Sequence, residues 1–111
     1  MEYKIEIYQT DSGKRPFSIW VKGIKDRLAK AKIRLRLDRL EMGNFGQCES
    51  VGEGVFELKI DFGPGYRIYF GLAGMTAVLL LAGGDKSTQT MDIVKAKNYW
   101  ADYRRGPYEI I

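Results

Sequence analysis

VFELKIDFGPGYRIYFGLAGMTAVLLLAGG, residues 55–84, is the stretch whose reading decides the fold. From Val55 to Ile60 apolar and polar residues alternate, placing Phe56, Leu58 and Ile60 inward and Glu57 and Lys59 on the opposite face, the two-residue period of a strand. Asp61-Phe62-Gly63-Pro64-Gly65 is turn material, and the strand that follows, Tyr66 to Phe70, brings Arg67 and Tyr69 to one face. Ala73-Gly74 turns the chain again. Thr76 to Ala82 is then apolar almost throughout, as expected of a central strand covered on both faces. The segment therefore predicts a three-strand antiparallel meander.

Upstream, Tyr3 to Tyr8 alternates and predicts a first strand. Pro16 suits the first turn of a helix, with Phe17, Trp20 and Ile24 at helical spacing and Gly23 as an interruption. Lys25 to Met42 is rich in Ala, Leu, Lys and Arg and stops at Gly43, which predicts a long second helix. On its wheel Ile33, Leu37 and Leu40 form one apolar stripe, and Leu28, Ala31, Leu35 and Met42 form another almost opposite. One stripe must face the sheet. The other packs against the first helix or serves as a contact surface, and the first of these is favoured. Asn44 to Gly54 reads as a loop. Downstream, Gly83-Gly84 permits a sharp turn, and Ile93, Ala96, Trp100 and Tyr103 mark a third amphipathic helix. The expected fold is a single α+β domain over residues 1–111, β-α-α-β-β-β-α, with a mainly antiparallel twisted sheet, a helical hairpin and a C-terminal helix.

Composition narrows the function. The longest apolar run is strand-sized and no signal peptide is recognisable, so a cytoplasmic protein without a membrane partner is expected. The lone Cys48 cannot form an intramolecular disulfide, and the absence of histidine removes the usual zinc ligands; no cofactor or metal is expected. A net charge of +4 suits nucleic acid and acidic proteins alike, so charge alone decides neither.

Five segments, RPFSIWVKGIKD, RLDRLEMGNFG, VGEGVFELKI, GPGYRIYF and LLLAGGDKSTQ, follow one another as in the HigB-like addiction module killer proteins of type II toxin–antitoxin systems. Together they cover most of the chain, which thereby resembles the RelE/ParE toxin superfamily. The resemblance implies a RelE-like fold and an endoribonuclease that cleaves messenger RNA on the ribosome and so inhibits translation. Its implied partners are mRNA, the ribosome and a cognate antitoxin, a helix-turn-helix protein, with a homodimer as a further possibility. Two alternatives stay open: a ParE-like poison of DNA gyrase without nuclease activity, and a degenerate, non-catalytic toxin acting in a repressor complex.

Cleaving RNA without a metal requires taking the proton of the ribose 2′-hydroxyl, stabilising the phosphorane charge and protonating the leaving oxygen. Without histidine, Lys, Arg, Tyr, Asp or Glu must do this. The alternation puts Lys59, Arg67 and Tyr69 on one sheet face, with Asp85 and Lys86 just beyond the last strand. The resemblance makes Arg67 the clamp on the scissile phosphate; the alternative is an arginine paired with Glu57 on a solvated strand face. It is read as outward-facing, so that its removal should cost activity and little stability. Lys59 matches a basic catalytic position, and Lys86 lies near the basic residue that follows the family's last strand. Tyr69 is a candidate stacking platform or proton donor, and Asp85 is a candidate base or merely a helix cap. The chain departs from RelE at Glu57, which stands where a second lysine is found, and it has no clear match for the tyrosine after the last strand.

Overall fold

A computed structural model describes residues 2–106. Five strands, β1 (Lys4–Ile7), β2 (Cys48–Gly52), β3 (Val55–Ile60), β4 (Tyr66–Ala73) and β5 (Ala77–Gly84), form one sheet in the order β1-β5-β4-β3-β2. β1 lies parallel to β5, and the other three pairings are antiparallel. Helices α1 (Pro16–Gly23), α2 (Arg27–Glu41) and α3 (Gln89–Arg105) complete an α+β fold with a mixed sheet.

The meander forms as its alternation predicts, but it has an extra strand. Cys48–Gly52, read from the sequence as part of a loop, is the edge strand β2. Its two apolar residues, Cys48 and Val51, are half-buried and the intervening Glu49 and Ser50 are exposed, so little hydrophobic signal marks it. The tight turn into β3 uses three successive residues at positive φ, Gly52 (98°), Glu53 (55°) and Gly54 (86°).

Helices cover both faces of the sheet. Beneath α1 and α2, Phe17, Ile33 and Leu40 pack on Leu58, Ile60, Ile68, Phe70, Val78 and Leu80. Beneath α3, Ala96 and Trp100 pack with Tyr8, Val55, Tyr69, Leu79, Leu81 and Ala82. Part of the face read as outward on the meander, Tyr69 included, is thus under a helix. α3 lies so close to β4 that a Cβ on Gly71 would stand 2.5 Å from the Trp100 ring.

Asp26 caps α2 through the amides of Leu28 and Ala29, and Ile33 and Leu40 of this helix are buried. The opposite stripe does not pack against α1: Leu28, Leu35 and Met42 are 56%, 49% and 72% exposed. That corrects the favoured reading of the sequence, because α1 sits over β5 and leaves this side of α2 facing solvent.

A bulge in β5 completes the frame. Ala82 pairs with Tyr69 and Leu80 pairs with Phe70, so Leu81 is the extra residue. Before it, even-numbered residues face α1 and α2; after it, Gly83 faces Trp20 of α1 and Gly84 faces Asp92 of α3. Gly84 is thereby set opposite Arg67. No helix among the described residues is long and apolar enough to cross a membrane.

Candidate functional site

Lys59 and Arg67 are cross-strand partners in β3 and β4, and Glu57 and Tyr69 form the next pair on the same face. The alternation does bring Lys59, Arg67 and Tyr69 to one face, but α3 closes over part of it, so their surroundings are not those of a solvated sheet.

Glu57 is 1% exposed, and one of its oxygens gathers three neighbours. The Tyr69 hydroxyl donates to Oε2 at 3.0 Å, and the Gln89 amide donates to it at 2.8 Å from the start of α3. Nε of Arg67 lies 3.5 Å from the same oxygen, with the arginine side chain 11% exposed. A carboxylate this deeply buried requires donors and a counter-charge; Oε2 receives both, while Oε1 and the Arg67 Nε make no hydrogen bond among the described residues. Arg67 is therefore not the outward-facing residue the alternation suggested. Its Nη1 donates to the Gly65 carbonyl at 2.8 Å, which fixes the guanidinium plane, and Nη2 has no partner among the described residues.

Tyr69 is fully buried, so it presents no face on which a base could stack. Burial, followed by the hydrogen bond and negative charge of Glu57, pushes its phenol well above the ordinary tyrosine range. Its contact with Glu57 is that of a support for the carboxylate.

Lys59 is partly exposed and its ammonium pairs with Glu49 of β2 at 3.1 Å. Glu49, Glu57 and Lys59 line one small recess, so the lysine stands among carboxylates as well as beside Arg67. From α2, Arg36 reaches under this edge and donates to the carbonyl oxygens of Lys59 and Phe45. Arg36 thus anchors the end of β3 to the helix, and desolvation lowers its pKa from the usual arginine value.

Asp85 and Lys86 lie in the short connection from β5 to α3. The Asp85 carboxylate accepts from the Ser87 amide at 2.8 Å and from the Ser87 hydroxyl, capping the turn Lys86–Thr88. The Ser87 hydroxyl bond foremost holds this carboxyl below the usual carboxylate range. That is the geometry of a cap. Lys86 is exposed, and its amide bonds the Pro64 carbonyl across the gap. An imagined Cβ on Gly65 would lie 3.2 Å from Nη1 of Arg67 and 3.6 Å from Cβ of Lys86, so the two basic residues flank the Gly65 backbone.

The structure therefore joins Lys59, Arg67 and Lys86 at one end of the meander, with Tyr69 beneath them and Asp85 turned to capping. The sequence reading missed Gln89, Glu49 and Arg36. Only Glu57 carried a signal, a charged residue between the apolar Phe56 and Leu58.

No model of a known protein family matches the chain. An uncharacterized protein of Haemophilus influenzae (strain ATCC 51907 / DSM 11121 / KW20 / Rd) is 52% identical over 81 residues, which span 73% of this chain and 82% of that protein.

Proposed function

The chain belongs to one family with that Haemophilus influenzae protein, and from this starting point we propose that it is a RelE-like toxin of a type II toxin–antitoxin module, an endoribonuclease that cleaves messenger RNA. The observation that carries the reading is the guanidinium of Arg67, held by a buried carboxylate on one side and a backbone carbonyl on the other, with one terminal nitrogen free. A guanidinium fixed in orientation with one terminal nitrogen unused is suited to donate from that nitrogen to a phosphate oxygen.

In the proposed reaction the ribose 2′-oxygen attacks phosphorus while the bond to the 5′-oxygen breaks, leaving a 2′,3′-cyclic phosphate. Arg67 and Lys86 counter the charge that develops on the phosphorane oxygens. Lys59 and its partner Glu49 are the groups placed to take the proton of the 2′-hydroxyl and return one to the leaving oxygen. Tyr69 and Asp85 act through structure, as a support and a cap.

The exposed stripe of α2 supports the partner half of the reading. Leu28, Leu35 and Met42 are bordered by the exposed Arg27, Arg34, Asp38 and Arg39, with Arg34 paired to Asp38 at 3.6 Å, a net positive surface that suits an acidic amphipathic segment of an antitoxin. Two copies of the chain meeting there would bring like charges together.

The test is cleavage of ribosome-bound message by wild type, Arg67→Lys and Arg67→Ala, with folding followed by circular dichroism. The expected result is cleavage that persists in EDTA and that folded Arg67→Lys performs at least about tenfold more slowly, since a point charge replaces a fixed fork. Unaltered cleavage by Arg67→Lys, or its abolition by chelation, refutes this active site. The ParE-like alternative draws on one observation, the structural commitment of Tyr69 and Asp85, which leaves fewer groups for acid–base work. Pulse labelling after induction separates the two: loss of protein synthesis is expected, and an early loss of DNA synthesis instead favours gyrase.

A further inference from the structure

We propose that the cleft beyond the end of β1 is a second nucleotide subsite, which takes one residue of a single-stranded RNA beside the phosphate at Arg67. The proposal rests on the nuclease reading above and adds a place where the substrate is gripped.

The cleft arises from unequal strand lengths. β1 ends at Ile7, and the Tyr8 amide makes a last bond to the Leu80 carbonyl, whereas β5 continues to Gly84. Among the described residues no strand covers this edge of Ala82 and Gly83, and the space there is a cavity of about 290 Å³. Such a volume is at the small end of ligand pockets, suited to a single nucleotide rather than an extended ligand.

Its lining has the chemistry for one. Lys14, from the loop before α1, and Lys95, from α3, approach from different elements, and neither is in an ion pair among the described residues. Two cations without counter-ions suit a phosphate. Trp20 and Tyr99 also line the cleft, Tyr99 with one face already stacked on Tyr8 at a centroid distance of 5.1 Å, and base stacking on aromatic rings tolerates any sequence. The indole is seated hard against the backbone, since a Cβ on Gly83 would fall 2.1 Å from its ring. Asp92 is 9% exposed and accepts the Thr88 hydroxyl on Oδ2, while Oδ1 takes no hydrogen bond among the described residues. A carboxylate oxygen that lines a cavity with no protein donor is an acceptor for the N–H groups of a base edge.

Adjacency ties the cleft to the phosphate site. The Asp92 carboxylate lies over Gly84, and Gly84 is the cross-strand partner of Arg67. The backbones of Gly84 and Arg67 are thus one strand spacing, ~4.8 Å, apart. An RNA held by Arg67 can therefore continue across the Gly83-Gly84 ridge toward Lys14 and Lys95.

The test uses a fluorescein-labelled ten-residue 2′-O-methyl oligouridylate, which cannot be cut because its 2′-oxygen cannot attack. Anisotropy gives its affinity for wild type, Lys14→Ala/Lys95→Ala and Lys14→Arg/Lys95→Arg, and cleavage of ribosome-bound message gives KM and kcat. Both lysines are exposed, so the variants should fold. The expected result for the alanine pair is binding weaker by about tenfold and a salt dependence shallower by about 1.4 in log–log slope, with KM raised and kcat unchanged. The arginine pair should restore binding. If wild type cleaves message and the alanine pair matches it in affinity, salt slope and KM, the subsite is overturned. If wild type cleaves nothing, the nuclease reading fails by itself; loss of oligonucleotide binding in the alanine pair would then still support a nucleotide site, and unchanged binding would overturn it.

Discussion

Replacing Arg67 by alanine should destabilise the protein as well as disable it. Glu57, 1% exposed in the wild type, would keep Tyr69 and Gln89 as donors but lose the one cation paired with it among the described residues. Breaking a buried ion pair by removing one partner costs about 3–5 kcal/mol, because the surviving charge stays desolvated. Against a total stability of about 5–15 kcal/mol for a domain of this size, that is a large fraction. It corresponds to a melting temperature lower by at least about 12 °C. Arg67→Ala/Glu57→Gln removes the stranded charge and leaves a neutral group that can still meet Tyr69, so it should recover half or more of the loss. Urea unfolding of wild type, both single variants and the double variant forms a thermodynamic cycle, with an expected coupling of about 2 kcal/mol or more. A stability of Arg67→Ala within about 0.5 kcal/mol of wild type, with coupling near zero, would refute the pairing and restore the picture of an arginine open to solvent.

Gly71→Ala should cost about 1–3 kcal/mol in chemical denaturation, since its methyl group would press on the Trp100 ring, which is only 7% exposed. Asp85→Ala should cost about 1 kcal/mol through loss of the cap. Because the folded Asp85 carboxyl titrates below its unfolded value, this contribution should be complete above about pH 4 and vanish as pH falls through the lower, folded value; an acid titration of wild type against the variant measures it. Leu35→Asp should leave unfolding within about 0.5 kcal/mol of wild type, as the side chain is 49% exposed, yet reduce co-purification with a co-expressed cognate antitoxin; equal recovery counts against the α2 surface.

The alternation of residues 55–60 and 66–70 was sufficient to bring Lys59, Arg67 and Tyr69 to one face, because strand period is a local property. What lay over that face was not local. Glu57 and Arg67 are charged residues at alternate positions, the ordinary pattern of a wetted face, and only the packing of Ala96 and Trp100 against Val55 and Tyr69 reveals that they are roofed. Gln89 has no pattern that would single it out, since its role depends on where α3 begins above Glu57. The strand Cys48–Gly52 escaped detection for a related reason: at a sheet edge, pairing with β3 can sustain a strand whose own side chains bury little. The two stripes of α2 were visible on the wheel, but their assignment to core or solvent required the position of α1.

The extra residue at Leu81 acts on β5 much as an inserted letter acts on a reading frame: both halves are in step with β4, but they are counted from different origins. From Val78, unbroken alternation would put Gly83 opposite Arg67 and displace Lys86 by one residue, about 3.3 Å along the strand. Residue counting along the leucine run therefore cannot place Asp85 and Lys86, whereas the glycine pair can, since each glycine is fixed by what presses on it, Trp20 on one face and Asp92 on the other. Relatives could lose Leu81 and keep the site in register, but a change in length between Gly83 and Lys86 would separate the basic residue from Arg67. The glycine pair, not the leucine run, is the reference mark by which this site is found in related chains.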